Sequence, residues 1–236
     1  MPEVPSPSRR RLPPFVGLGP GLALHRLDED ELSNLVMQAT AAELELLLVH
    51  PRVNEKHAAL AIANKSVSAQ TLQRIGDDRR FTRGYEVKRA LVEHPRTPRH
   101  LAIRFVKFLY LADLLRLLDS HQIAPGLKRF AESTLVSRMP QITLGERLTM
   151  AKGGGRGVVK VLKAEQDEIV LRALLQNPKL TSSDVVHLIE SGRTPPSLLE
   201  DIGTSARWKV EYAVRFALAR NPAPRARSRS ASSARS

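Results

Sequence analysis

The sequence predicts an all-α chain, an α-solenoid of about four units and about fourteen short helices, and three observations carry that prediction. Five prolines, Pro51, Pro95, Pro140, Pro178 and Pro222, each follow a Leu/Ala-rich segment and recur at intervals of 44, 45, 38 and 44 residues. Shifting residues 44–95 by 127 positions lays them on 171–222 without a gap. Leu44 then meets Leu171, Leu47 meets Leu174, Ile75 meets Ile202, Gly76 meets Gly203, Arg80 meets Arg207 and Tyr85 meets Tyr212. Apolar residues are 42% of the chain, mainly Leu, Ala, Val and Ile, while aromatics are only 4%, a mixture that suits helices better than sheets. A unit of this size buries its apolar face only against its neighbours, so the period implies stacked helical repeats.

Residues 1–26 are rich in Pro, Gly, Ser and Arg without helical periodicity and read as a basic, disordered arm. Ser8-Arg9-Arg10-Arg11 before Phe15–Leu24 has a faint likeness to a twin-arginine export signal. Pro20 and three glycines break that apolar stretch, which favours the arm. From residue 27 the punctuation becomes regular. Thr40 with Glu43, Thr143 with Glu146 and Thr181 with Asp184 have the spacing of a capping box, in which side chains satisfy free amides at a helix start. Asn54, Pro98, Thr143 and Thr181 each stand three residues after a repeat proline and mark helix starts. Thr97-Pro98 and Thr194-Pro195 set a proline at the first helical position, where its missing donor costs nothing. Asn177 before Pro178 closes a helix, as a residue that tolerates a left-handed cap.

These signals place helices near 29–38, 41–49, 54–63, 68–75, 85–93, 98–108, 110–119, 124–137, 144–152, 155–164, 167–176, 182–190, 195–202 and 209–219. They form a single repeat domain over 27–224, with units near 50–94, 95–139, 140–177 and 178–222. Three helices in 40–47 residues is the HEAT/armadillo scale. Residues 225–236 alternate Arg, Ser and Ala and read as a disordered tail.

The strings ALVEHPRTP (90–98), LLQNPKLT (174–181) and ALARNPAP (217–224) resemble the Asn-Pro-x-Thr-Pro signature of bacterial HEAT-like and leucine-rich-repeat-variant helical proteins. On this resemblance Pro51, Pro95, Pro140, Asn177, Pro178, Trp208, Asn221 and Pro222, with Tyr85 and Tyr212, form the structural repeat signature. The resemblance implies a curved, right-handed stack of short helices (a HEAT/armadillo-like superhelix), cytoplasmic, that holds a partner. Some leucine-rich-repeat-variant proteins carry a Cys-ligated iron–sulfur cluster. This chain has no cysteine, so that cofactor does not carry over.

The net charge of +13 is uneven: residues 1–26 contribute +3 and 223–236 contribute +4. The sharpest internal feature is a basic block of Arg79, Arg80, Arg83, Lys88, Arg89, Arg96, Arg99, Arg104 and Lys107 against Glu86 and Glu93, a net +7. Such a block is a candidate surface for phosphates or an acidic partner. The competing reading is the solvated side of two helices. Phe81 and Tyr85 within it have counterparts in Trp208 and Tyr212, which points to a core role rather than to base stacking.

Other chemistry finds little support. Asp77 and Asp78 are the only carboxylates placed for a glycosylase on this block, and the duplicate carries Thr204 and Ser205 there. Lys152 through Gly157 lacks the P-loop spacing and reads as a flexible helix–helix connection. The seven histidines show no H-E-x-x-H or paired spacing, so no metal site is expected. His50 and His94 precede repeat prolines, where an imidazolium would suit the negative end of a helix. Leu111–Leu118 reads as a buried core helix. The sequence therefore predicts a non-enzymatic scaffold without cofactor, membrane insertion or small-molecule substrate, binding a protein through its concave surface. Nucleic-acid binding through residues 79–107 is the alternative.

Overall fold

The computed structural model describes residues 27–221 and contains fourteen α-helices, one 3-10 turn and no strand among those residues. The arm 1–26, Pro222 and the tail 225–236 lie outside the described residues. The helices are α1 (Glu29–Gln38), α2 (Ala41–Leu47), α3 (Glu55–Ala63), α4 (Ala69–Asp77), α5 (Tyr85–Glu93), α6 (Arg99–Val106) and α7 (Leu111–Asp119), then α8 (Pro125–Arg138), α9 (Leu144–Gly153), α10 (Arg156–Leu162), α11 (Glu168–Leu175), α12 (Ser182–Glu190), α13 (Pro196–Thr204) and α14 (Tyr212–Arg220). No helix is long and apolar enough to cross a membrane.

Helix starts obey local chemistry. Thr40, Thr143 and Thr181 each form the expected capping box with Glu43, Glu146 and Asp184. Asp28 with Glu31 and Asn54 with His57 add two more. Pro98 and Pro195 fall one position earlier than expected, just before helices that begin at Arg99 and Pro196. The last helix begins at Tyr212 rather than 209, because residues 206–210 form a turn. That turn is anchored by Arg207 and Trp208, whose side chains donate to carbonyls between Leu175 and Leu180.

The duplication seen in the residues is also one of structure. Shifting α3, α4 and α5 by 127 positions gives the bounds of α12, α13 and α14. Buried side chains coincide as well: Leu44 and Leu171, Leu47 and Leu174, Ile62 and Ile189, Ile75 and Ile202, Phe81 and Trp208, Val87 and Val214.

The chain divides into two compact units, residues 1–101 and 102–236. In the first, α1 packs on α3 and α3 on α5, while α2 packs on α4. Leu32, Val36, Leu44, Ala58, Leu72, Ile75, Phe81 and Leu91 make its core. Glycine has a steric task here: a Cβ on Gly76 would sit 2.5 Å from Leu101 Cδ2, so only glycine lets that leucine seat against α4. In the second unit α7 packs on α8 and α10, α9 on α11, α11 on α13, and α12 on α14. Leu114, Leu135, Val158, Leu162, Leu171, Leu174, Val185, Ile189 and Ile202 fill its interior. Helix α7 buries Leu114, Leu117 and Leu118 and thus has the core role read from its sequence.

Gly192, just after the cap of α12, takes left-handed backbone with φ 66°, whereas carbonyls at three helix ends are satisfied by asparagine side chains. Among the described residues no non-glycine has a positive φ, so Asn177 is not the left-handed cap that its place before Pro178 suggested. Its amide reaches across to another helix end: Nδ2 donates to Ala151 O at 2.8 Å and Gly154 O at 2.9 Å, while Oδ1 accepts Lys179 N at 2.7 Å. Asn64 does the same for α1, donating to Val36, Met37 and Ala39 carbonyls, and Asn221 donates to Ile189 O. Carbonyls left over at one helix terminus are thus satisfied from the terminus of a helix further along the chain.

His50 and His94 occupy the matching slots and use Nδ1 to accept from Arg52 N and Arg96 N. Burial, aided by the nearby Arg96 charge, holds the His94 pKa below its ordinary value. The ring is a neutral acceptor, not the imidazolium expected at that helix end.

Candidate functional site

Several members of the basic block also help to hold the fold. Arg80 pairs with Asp78 at 2.8 Å, donates to Leu48 O at 3.0 Å and lies 4.8 Å from the Phe81 ring centre. That pairing holds the Asp78 carboxyl below its usual range. Arg96 donates to Val67 O at 3.1 Å, Arg89 pairs with Glu86, and Lys88 donates to Arg83 O. Arg104 and Lys107, which belong to the second unit, lie over the rings of Phe105 and Phe108. Arg79, Arg83 and Arg99 are exposed.

The second copy shows the same device. Arg207, the counterpart of Arg80, donates to Asn177 O and Leu180 O and lies 4.1 Å from the Trp208 ring centre. Trp208 Nε1 donates to Leu175 O, whose counterpart is the Leu48 carbonyl that Arg80 holds. Phe81 and Trp208 are buried, as the core reading required. The tyrosines do not follow. Tyr85 is half-buried and Tyr212 is 73% exposed, so the core role expected for Tyr212 is corrected. The repeat prolines Pro51, Pro95, Pro140 and Pro178 are all exposed, and Pro140 sits in the 3-10 turn Met139–Gln141.

A cleft of about 640 Å³ in the second unit was not visible in the sequence. It opens among α7, α8, α10 and α12, and Lys128, Arg156, Lys160, Lys163 and Lys179 line it against Asp119, Glu132 and Asp184. The link between α9 and α10 forms part of its wall, and here the glycines have a packing reason. A Cβ on Gly155 would lie 1.9 Å from Asp119 Oδ1, and one on Gly154 would lie 2.5 Å from Met150 O. The segment read as a flexible connection is thus a two-residue link, Gly154 and Gly155, pressed against its neighbours.

The electrostatic centre of the cleft is Asp184, only 4% exposed. One oxygen accepts Lys163 Nζ at 2.9 Å, and the other accepts Arg156 together with the Thr181 amide and hydroxyl. Burial alone would raise its pKa. The donors from Arg156, Thr181 and Lys163 outweigh burial and hold the carboxyl far below the usual range. Lys160 pairs with Glu132 at 2.6 Å on the opposite wall. Two further cations, Lys128 on α8 and Lys179 at the mouth, bring the lining to five cations against three carboxylates, a net +2. Such a wall attracts carboxylate or phosphate oxygens.

No family model matches the chain, and neither the curated proteins nor the solved structures include a significant match to it.

Proposed function

We propose that this chain is a non-enzymatic, cytoplasmic scaffold, a right-handed α-solenoid of HEAT-like units that binds a protein partner, and that the α7/α8/α10/α12 cleft takes an acidic segment of that partner. The observation that carries this reading is the cleft itself: a hollow of about 640 Å³ whose lining has a surplus of positive charge. Arg80, Arg96 and Arg207 each also donate to backbone carbonyls of their own unit, which gives these three a structural task beside their charge. Shape and a few placed charges are what helical-repeat proteins use to hold extended partners.

A fluorescein-labelled oligoglutamate peptide and a labelled DNA duplex, titrated with the full chain over a salt series, test the proposal. Peptide binding is expected to weaken at least tenfold in Lys128→Glu/Lys179→Glu, and to remain in Arg79→Glu/Arg83→Glu/Arg99→Glu. Tight duplex binding with a steep salt slope, lost in the arginine variant and kept in the lysine variant, would instead establish the nucleic-acid alternative.

A further inference from the structure

Helix α10 and its cap carry Arg156, Lys160 and Lys163 at spacings of four and three residues, so the three cations share one face, and that face lines the cleft. The protein engages them to different degrees. Lys163 donates to Asp184 Oδ1 at 2.9 Å and its side chain is only 21% exposed, so its charge is answered inside the unit. Lys160 is answered by Glu132 across the cleft. Arg156 is held along one edge only. Its Nη1 donates to Lys179 O at 2.9 Å and to Asp184, while Nε and Nη2 make no bond among the described residues and the side chain is 56% exposed. Asp184 stays ionised well below neutral pH, so this guanidinium is fixed in place before any ligand arrives.

Two ammonium groups complete the surplus. The Lys179 backbone is pinned from both sides, since its N–H donates to Asn177 Oδ1 at 2.7 Å and its carbonyl accepts from Arg156, which sets this residue directly beside the guanidinium. Lys128 stands one turn before Glu132 on α8 and so shares the face that Glu132 turns to α10. Neither Lys128 Nζ nor Lys179 Nζ has a hydrogen bond or ion pair among the described residues. Of the three carboxylates, Asp184 and Glu132 are paired, and Asp119 lies against Gly155 without a cation partner among the described residues. What the cleft offers an anion is therefore one open guanidinium edge, two unpaired ammonium groups and an overall surplus of two charges.

We infer that the cleft recognises a phosphoserine or phosphothreonine within the partner's acidic segment, its phosphoryl oxygens taking the open edge of Arg156 together with Lys179 and Lys128. This rests on the reading of the cleft as the seat of such a segment, and makes that binding dependent on phosphorylation of the partner. A phosphomonoester carries about two negative charges at neutral pH and three acceptor oxygens, which match the surplus and the three cationic groups. A glutamate brings one charge and two oxygens and leaves half of the surplus unanswered. Arginine fits this task better than lysine, because its planar fork meets two phosphate oxygens at once. Asp184 acts as a positioning residue, since it touches the guanidinium and not the ligand. The hollow of about 640 Å³ has room for residues on either side of the phosphate as well.

Fluorescence anisotropy with the full chain tests this on one labelled, glutamate-flanked peptide made with phosphoserine, aspartate or serine at its centre. The phosphoserine peptide is expected to bind at least about tenfold more tightly than the aspartate peptide. Arg156→Lys keeps the charge and removes the fork, and should cut that preference to about threefold or less. Lys128→Gln/Lys179→Gln changes two side chains that bond nothing in the chain, so it should leave the circular dichroism spectrum intact and weaken the phosphoserine peptide at least about tenfold. A phosphoserine peptide no tighter than its aspartate twin, or a preference that survives in both variants, overturns the proposal. So does inorganic phosphate that displaces the peptide at the peptide's own dissociation constant, which would assign the site to the free ion. Binding of the aspartate peptide and of oligoglutamate without preference for phosphate overturns this inference alone and leaves the cleft as an acidic-segment site. Failure of every peptide to bind removes both.

Discussion

Asn177 offers the sharpest test of how the second unit is held together. Its side chain is fully buried and makes three hydrogen bonds, two to the carbonyls that end α9 and one from Lys179 N. At about 1 kcal/mol net for each bond, plus about 1–3 kcal/mol for a buried carbonyl left without a donor, Asn177→Ala should cost at least about 4 kcal/mol. Against a typical stability of about 5–15 kcal/mol this is a large fraction. At an m-value of about 2 kcal/mol/M it should lower the urea midpoint of the C-terminal unit by at least about 2 M, read by far-ultraviolet circular dichroism. Asn177→Gly separates this account from the one based on its place before Pro178. Were the residue there for its backbone, glycine would be the better choice and the variant would be neutral or more stable. If the amide is what counts, glycine should be at least as damaging as alanine. An Asn177→Gly chain within about 1 kcal/mol of wild type would refute the reasoning.

Two further outcomes follow from the same structure. Gly76→Ala should be destabilising by about 1–3 kcal/mol through overpacking against Leu101, whereas Gly203→Ala, at the matching helical position with nothing closer than 3.7 Å, should be neutral or gain about 0.5–1 kcal/mol from helix propensity. Thermal unfolding of the two single variants checks this, and equal effects would contradict it. The second outcome concerns pH. Burial lowers the pKa of His57 and of His94, offset at His57 in part by Glu29, so the folded state favours neutral rings. With the folded pKa below the unfolded value of about 6.5, their contribution is fully present above that value and is lost as pH falls through and below it. The melting temperature of the N-terminal unit should therefore drop between about pH 7 and 5. His94→Asn, which copies Asn221, should flatten part of that slope; a flat wild-type profile would count against it.

How much of this could be read from residues alone depends on distance along the chain. Helix starts were legible because a capping box lies within four residues, and Thr40, Thr143 and Thr181 all behave as their spacing implies. The duplication was legible because it preserves core positions such as Ile75 and Ile202. What failed depends on partners far away in sequence. Asn177 looks like a backbone cap until the carbonyls of Ala151 and Gly154 are placed beside it. Arg80 and Arg96 look like part of a basic surface in sequence, and the carbonyls about thirty residues earlier that they also hold cannot be read from their neighbours. Tyr212 repeats Tyr85 in identity but not in surroundings, since Tyr85 is half-buried and Tyr212 is exposed. The cleft escaped notice since its cations are spread from Lys128 to Lys179 rather than gathered in one run.

The reach of these cross-braces has a bearing on how the chain comes off the ribosome. Arg80 to Leu48, Asn64 to Val36, Arg138 to Leu109, Asn177 to Ala151 and Trp208 to Leu175 span only 26 to 33 residues. Each segment can thus be locked as soon as a short further length has emerged, with no need to wait for a distant terminus. Synthesis and assembly can proceed in step, leaving only the most recent helices unprotected at any moment.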